Sequence, residues 1–352
     1  MNNIPKKRLN RVDLSLPILG FGCAALGNLY TTVSEEEAVK TLDTAYKVGI
    51  RYFDSAPLYG HGLAELRLGS GLRRFPDHDV VLSTKVGWRL CSAYSGETCG
   101  KSLPAFSRYN DYSYDGTMRS LEDSMQRLGT DQLDIVFIHD VDRRTQGDRY
   151  SKVFNEAMNG SYRALEKLRA DGVIKAIGVG VNEWQPCQEF AQVGDFDCFL
   201  LAGRYTLLEQ DALETFLPLC EQRNIGVVLG GVYNSGILAS GARHGAMYDY
   251  EPAANFVLER VRAIEQVCIA HHVPLKAAAL QFPLHHPAII SIIPGARTVA
   301  EVEDNFAMLR ASIPIELWQD LRTKGFLRED APVCGESVSR RGLEASGGGS
   351  VF

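Results

Sequence analysis

Eight short apolar runs recur along the chain, most of them separated by enough residues for one helix: ILGFGC (18–23), IRYFDSA (50–56), VVLSTKV (80–86), DIVFIHD (134–140), IKAIGVGV (174–181), CFLLAG (198–203), GVVLGGV (226–232) and IISIIPG (289–295). Their apolar character is nearly continuous rather than alternating, so each strand must be covered on both faces, the condition of a parallel sheet flanked by helices. The intervening segments carry helical period. Ser34 and Glu37 form an S-x-x-E capping box ahead of Ala38, Val39, Leu42, Ala45 and Tyr46, and Met158, Tyr162, Leu165 and Leu168 share one face of a later helix. Stop signals follow at the Gly or Asn of YKVGIRYF, QRLGTDQLDIVF, RADGVIKAIG and EQRNIGVVL, where these residues supply a left-handed helix terminus. Eight such units without a composition break predict an α/β fold closed into a (β/α)8 TIM barrel, a single domain over residues 1–330. The remainder, 331–352, ends in SRRGLEASGGGSVF and is expected to be a partly mobile tail.

The formal net charge of −6, with no long basic run, argues against nucleic acid or an anionic membrane as partner and leaves a small molecule. No window reaches roughly 18 uninterrupted apolar residues. The N-terminal MNNIPKKRLNRVDLSLP has no apolar run of the kind a leader needs, so a soluble cytoplasmic protein is expected, with monomer and dimer both open. The eight cysteines are scattered, with no C-x-x-C pair and no zinc spacing, and read as reduced structural thiols. The HisHis pairs at 271–272 and 285–286 lack a carboxylate spacing to complete a site, and no metal is expected.

Three connections, about 88–114, 141–155 and 233–251, are longer than a strand-to-helix turn needs. All three follow a strand, which puts them on the C-terminal face where such barrels keep their active sites. Three successive strands deliver ionisable side chains to that rim: Asp54, Lys85 in STKVG and His139 in FIHD, with Tyr59 in the loop after the first. A lone strand histidine is usually a hydrogen-bonded core residue, and a lone aspartate often caps a turn. A buried lysine needs a partner, however, and the four together define a chemistry. A tyrosine pKa of about 10 is too high for proton exchange near neutrality, and lowering it by three units takes roughly 4 kcal/mol of differential interaction. Lys85 is expected to supply that interaction, Asp54 to hold the lysine charged and aimed, and His139 to orient a substrate oxygen.

GFGCAA (20–25) matches the dinucleotide fingerprint G-x-G-x-x-A, but in that motif the helix opens inside the glycine run, whereas here the helix cap is Ser34. No Rossmann domain is expected. The stretches DSAPLYGHG, STKVG, DIVFIHD, KAIGVGVNEW and IIPGARTVAEVEDN, in that order, resemble the aldo-keto reductase superfamily from about residue 15 to 325. The resemblance implies a barrel that binds a nicotinamide cofactor without a Rossmann domain. It carries Asp54, Tyr59, Lys85 and His139 over as a catalytic tetrad, with Tyr59 as general acid or base in hydride transfer. It also implies that Asn182 meets the cofactor carboxamide, that Gly22, Cys23, Gly231 and Asn234 line the cofactor site, and that Gly295, Arg297, Glu301 and Asn305 surround the adenosine end.

Several positions depart from the family pattern. LGGVYNSGIL carries Gly230 where a nicotinamide-facing tyrosine is usual, LLAGRYTLLEQ has Ala202 for a glutamine, and Val181 replaces the serine before Asn182. These stretches are similar to the D-threo-aldose 1-dehydrogenases, also called L-fucose dehydrogenases, and to the related pyridoxal 4-dehydrogenases. The implied reaction is oxidation of the anomeric hydroxyl of an L-fucose-type aldose to the lactone. Oxidation of pyridoxal to 4-pyridoxolactone is the alternative, and a cofactor-binding regulatory protein on the same barrel is an alternative of another class. Glu301 stands where many NADP-dependent members carry an arginine for the 2′-phosphate; a carboxylate repels phosphate and accepts from a 2′-hydroxyl, so NAD is expected, with NADP possible. Trp88, Tyr59 and His139 are the expected substrate contacts. Tyr94, Phe106, Tyr109, Tyr112 and Tyr114 join Trp88 in a candidate aromatic platform, and Arg143, Arg144 and Arg204 either reach substrate oxygens or solvate the surface.

Overall fold

The apolar runs form eight parallel strands in a computed structural model that describes residues 4–76, 79–92, 104 and 106–333. The strands are Phe21–Gly22, Tyr52–Asp54, Val81–Val86, Ile135–His139, Ala176–Val181, Cys198–Ala202, Gly226–Gly230 and Ile289–Ile292. Each pairs with its neighbours in chain order. Bridges Leu19–Ile292 and Gly22–Gly295 join the first strand to the last, and the Gly20 N–H donates to the Ile292 carbonyl at 2.8 Å, so the sheet closes into the expected (β/α)8 barrel.

The continuous apolar runs are sorted by parity. Tyr52, Ile135, Phe137, Cys198 and Leu200 point into the barrel, while the intervening Phe53, Val136, Ile138, Phe199 and Leu201 lie in the layer beneath the helices. Successive strand side chains face opposite ways, so a strand covered on both sides must be apolar at every position. Helix termini follow the stop signals: Gly129 and Asn224 take φ values of 66° and 55°. The capping box is half made. Ser34 Oγ accepts from the Glu37 N–H at 3.2 Å, whereas the Glu37 carboxylate accepts from the Val299 N–H and caps the helix Val299–Arg310 instead.

An N-terminal hairpin, Lys6–Leu9 with Leu14–Pro17, is an element the strand–helix alternation does not contain. Leu9, Leu14 and Leu16 join the inner barrel cluster and close its N-terminal end. At the opposite end the three long connections fold up. The first is the hairpin Trp88–Ser92 with Phe106–Asn110, and its 93–103 and 105 lie outside the described residues, as does Tyr94. The second holds the helices Arg143–Gln146 and Tyr150–Ala157, and the third a short helix Ile237–Ser240 and a small hairpin. Of the expected tail only 331–333 are described, with Ala331 and Val333 buried against the barrel. Among the described residues no helix is long and apolar enough to cross a membrane.

Candidate active site

Asp54 ends its strand and Lys85 is the last residue but one of the adjacent strand; both side chains point to the barrel axis and both are about 1% exposed. Lys85 Nζ donates to Asp54 Oδ2 at 2.7 Å and to the Ser55 carbonyl at 2.8 Å; Ser83 Oγ donates to Asp54 Oδ1 at 2.7 Å. Burial pushes the Asp54 carboxyl up, and the Lys85 ammonium and Ser83 hydroxyl work against it. A charge pair this deep persists because its partners are hydrogen-bonded on both sides. Asp54 therefore holds Lys85, as expected.

Tyr59 is placed by a backbone contact, with its side chain packed against the core. A Cβ on Gly27 would come within 2.7 Å of the Tyr59 carbonyl carbon, so the loop carrying Tyr59 seats directly on Gly27. The phenol ring centroid lies 4.6 Å from Lys85 Nζ and 5.8 Å from the His139 ring, which meets it edge-on. The Tyr59 pKa, however, moves opposite to the expected direction: burial raises it well above the usual tyrosine value, and the carboxylates of Asp54 and Asp140 add to the rise. The lysine ammonium expected to oppose this rise is itself engaged by Asp54 and Ser55. His139 is held neutral, its pKa driven well down by burial and then by Lys85. Its Nδ1 is buried with no hydrogen-bond partner among the described residues. Tyr112 fixes the strand end by donating to the His139 carbonyl at 2.7 Å.

A cavity of about 450 Å³ opens above this cluster, lined by Tyr59, Lys85, His139, Asp140, Arg108 and Asn182. A second, of about 350 Å³, shares Tyr59, Tyr30, Tyr250 and Ala202 with it and runs past Gly22, Gly230, Gly231 and Gly295 to Arg297, Glu301, Asn305 and Lys276. A trough floored by small residues, leading from the phenol to a polar end, fits an extended dinucleotide. Asn182 Oδ1 accepts from Tyr250 at 3.2 Å, which leaves its amide N–H groups to donate. Asn305 Oδ1 accepts from Tyr233, and the Asn234 amide is engaged by Thr206 and Gly203. The Arg297 guanidinium and backbone N–H both donate to Glu301 at 2.7 Å. Cys23 is fully buried and does not line either cavity.

The aromatic platform divides. Phe106, Tyr109 and Tyr114 are exposed, Tyr112 is 2% exposed in the core, and Trp88 reaches the cavity through Asp140, to which its indole N–H donates at 2.8 Å. Arg144 and Arg204 both pair with Asp249, and Arg143 pairs with Glu189. Asp140 is the residue that sequence reasoning passed over, although its position directly after His139 was visible in FIHD.

Residues 18–325 match the sequence profile of the Aldo/keto reductase family. The chain is 42% identical to pyridoxal 4-dehydrogenase of Microbacterium luteolum, over 92% of this chain and 98% of that protein. It is 36% identical to D-threo-aldose 1-dehydrogenase of a Pseudomonas species, over 88% of this chain and 94% of that one. The holo form of an aldo-keto reductase from Bacillus halodurans superposes with a TM-score of 0.72 at 25% identity, covering 91% of this chain and 96% of the other.

Proposed function

Since the chain belongs to the aldo/keto reductase family and is an NAD(P)-dependent oxidoreductase, we propose that it uses NAD to oxidise the hydroxyl of a cyclic hemiacetal to a lactone, the substrate being an aldose of the L-fucose type. The observation that carries this reading is the convergence of Tyr59, Lys85 and His139 on one cavity wall, with Asp54 hydrogen-bonded to Lys85 beneath them and lining the adjoining cavity. A bound nicotinamide dinucleotide supplies the acceptor for the hydride that leaves the reacting carbon. Tyr59 takes the hydroxyl proton as the carbonyl forms, and His139 holds the reacting oxygen by a hydrogen bond, its neutral imidazole serving that role without adding charge. Because burial keeps the Tyr59 phenol protonated, its proton must leave before it can act as base.

Two features support NAD. The Arg297 guanidinium is paired with Glu301, and the Lys276 ammonium with Asp304, so neither cation at the far end of the trough is left without a counter-charge for a 2′-phosphate. The polar side chains around the first cavity, Asp140, Arg108, His61 and Asn182, suit a polyhydroxylated ring. The 42% identity to pyridoxal 4-dehydrogenase favours pyridoxal, which also forms an internal hemiacetal, as the second reading. Nicotinamide absorbance, followed with NAD and NADP against L-fucose, D-arabinose and pyridoxal, separates them. Turnover of a sugar with NAD supports the first reading, turnover of pyridoxal alone supports the second, and no turnover with any pair removes both.

A further inference from the structure

Asp140 has no part in the chemistry above, yet the fold goes to some length to bring it to the cavity. In an extended strand its side chain would point to the face opposite His139. Instead Asp140 takes φ 56°, a left-handed conformation that costs a non-glycine residue roughly 1 kcal/mol. The carboxylate thereby turns back beside the imidazole, with Oδ1 3.4 Å from His139 Nε2. The turn is held at both ends: the Asp140 N–H donates to the Gly180 carbonyl at 3.0 Å, and its carbonyl accepts from Gln146 Nε2 at 2.9 Å. Oδ2 is tethered by the Trp88 indole N–H. Arg108, another residue of the cavity wall, lies over the Trp88 ring at 5.3 Å.

A buried carboxylate is stable only when donors reach it. Trp88 supplies one donor and fixes Oδ2, which leaves Oδ1 on the side of the group that orients the reacting oxygen. Neighbouring oxygens on a small ring stand about one hydrogen-bond length apart, ~2.8 Å. An oxygen held by His139 thus brings the next hydroxyl of the same ring within reach of Asp140.

We propose that Asp140 binds the hydroxyl neighbouring the reacting carbon of the ring substrate, and that it sets the preference for rings that carry one. The proposal rests on the cyclic-hemiacetal reading above. Both candidate substrates present a hydroxyl beside the reacting one: an aldose carries it on the carbon next to the anomeric centre, and the pyridoxal hemiacetal carries it one carbon further along, as the ring phenol.

The test uses Asp140→Asn in the full chain. Asparagine keeps the size, an acceptor for Trp88 and a tolerance for the left-handed turn. Wild type and variant are assayed with NAD against D-arabinose and 2-deoxy-D-ribose, which lacks the neighbouring hydroxyl, and against pyridoxal and 3-deoxypyridoxal, which lacks the phenol. NAD affinity is measured alongside by fluorescence titration. On the parent substrate at about pH 8.5, where the Asp140 carboxyl is ionised, the variant is expected to lose about 30-fold in kcat/KM, mostly through KM, as a charge-assisted hydrogen bond implies. Removing the hydroxyl should harm wild type by a similar factor and the variant little further, with NAD affinity held within about twofold. Whichever parent shows the effect identifies the source of the hydroxyl. Trp88→Phe, which unties the carboxylate without removing it, should show a smaller loss of the same kind. Equal losses on parent and deoxygenated substrate, or a loss confined to kcat in both variants, overturn the proposal, because Asp140 would then act through His139 or the fold. If wild type turns over neither parent, the cyclic-hemiacetal reading itself fails and takes this proposal with it.

Discussion

Tyr59 is subject to two opposing electrostatic demands. Oxidation of a hydroxyl needs a base, yet burial and the charges of Asp54 and Asp140 hold the phenol in its acid form. With the pKa raised, the ionised fraction grows as pH rises, so oxidation should accelerate from about pH 6 to 10, whereas reduction of the carbonyl, which uses the phenol, should stay flat or fall. Initial rates in both directions at saturating cofactor check this; parallel profiles would remove Tyr59 as the titrating group. Tyr59→Phe should lose at least about 100-fold in kcat in either direction while still binding cofactor, and a near-normal kcat would rule out its assigned role. Asp140 gives a second pH effect at the same scale. Burial beside Asp142 pushes its carboxyl from an ordinary 3.8 up to about 7, with the Trp88 N–H, Lys85 and Arg108 acting the other way. Between those values the folded protein holds a proton that the unfolded chain has released, so this group's effect lowers stability as pH rises from about 4 to about 7. Asp140→Asn removes that effect, worth roughly 4 kcal/mol as an upper bound. The variant should therefore melt above wild type near pH 8 and level with it near pH 4.5; an offset independent of pH would refute the linkage.

At the scale of elements, legibility followed burial. The barrel strands could be read because double-sided coverage demands an apolar residue at every position, as in DIVFIHD and IKAIGVGV. The N-terminal hairpin could not: KKRL and LSLP are short and mix charged or polar residues with leucine, and only the finished barrel shows what Leu9, Leu14 and Leu16 pack against. Loop side chains were equally opaque. Tyr112 reads like its aromatic neighbours Tyr109 and Tyr114, but it packs against Gly87, where an added Cβ would lie 2.3 Å from its ring. Nothing in the local pattern separates a tyrosine that faces the core from one that faces solvent. The hairpin also yields a test of the division between stability and chemistry. Leu16→Ala removes a fully buried side chain at the end of the barrel away from the active site. It should cost about 2–5 kcal/mol and lower Tm by roughly 3–7 °C. The kcat of the folded fraction should not change, and a matching fall in kcat would mean that the two ends of the barrel are coupled.

For the molecule as a whole, the clustering of Asp54, Tyr59, Lys85 and His139 was legible because these residues sit at or near strand ends or in the loop after one, where the barrel fixes direction. The Tyr59 pKa and the Asp140 carboxylate were not, because both depend on turns and neighbours far apart in sequence. Cofactor choice belongs to this scale as well, since the trough proposed to hold the dinucleotide runs from Tyr59 to Glu301 and binding to the folded chain shifts the entire unfolding equilibrium. At a concentration of about 100 times Kd, binding adds about 2.7 kcal/mol. For a chain of this length that corresponds to a rise in Tm of roughly 3–4 °C. NAD should produce such a rise at a concentration where NADP produces clearly less, because the Arg297–Glu301 and Lys276–Asp304 pairs leave little positive charge for a phosphate. Glu301→Arg removes a carboxylate, frees Arg297 and adds a second cation, a change of two charges at one end of the trough. The ordering of the two Tm shifts should therefore reverse in the variant, with turnover following. If both cofactors keep their wild-type shifts after that change, charge at Glu301 does not select between them, and the preference must be set by other groups at that end of the trough, with the Lys276–Asp304 pair the next to be tested.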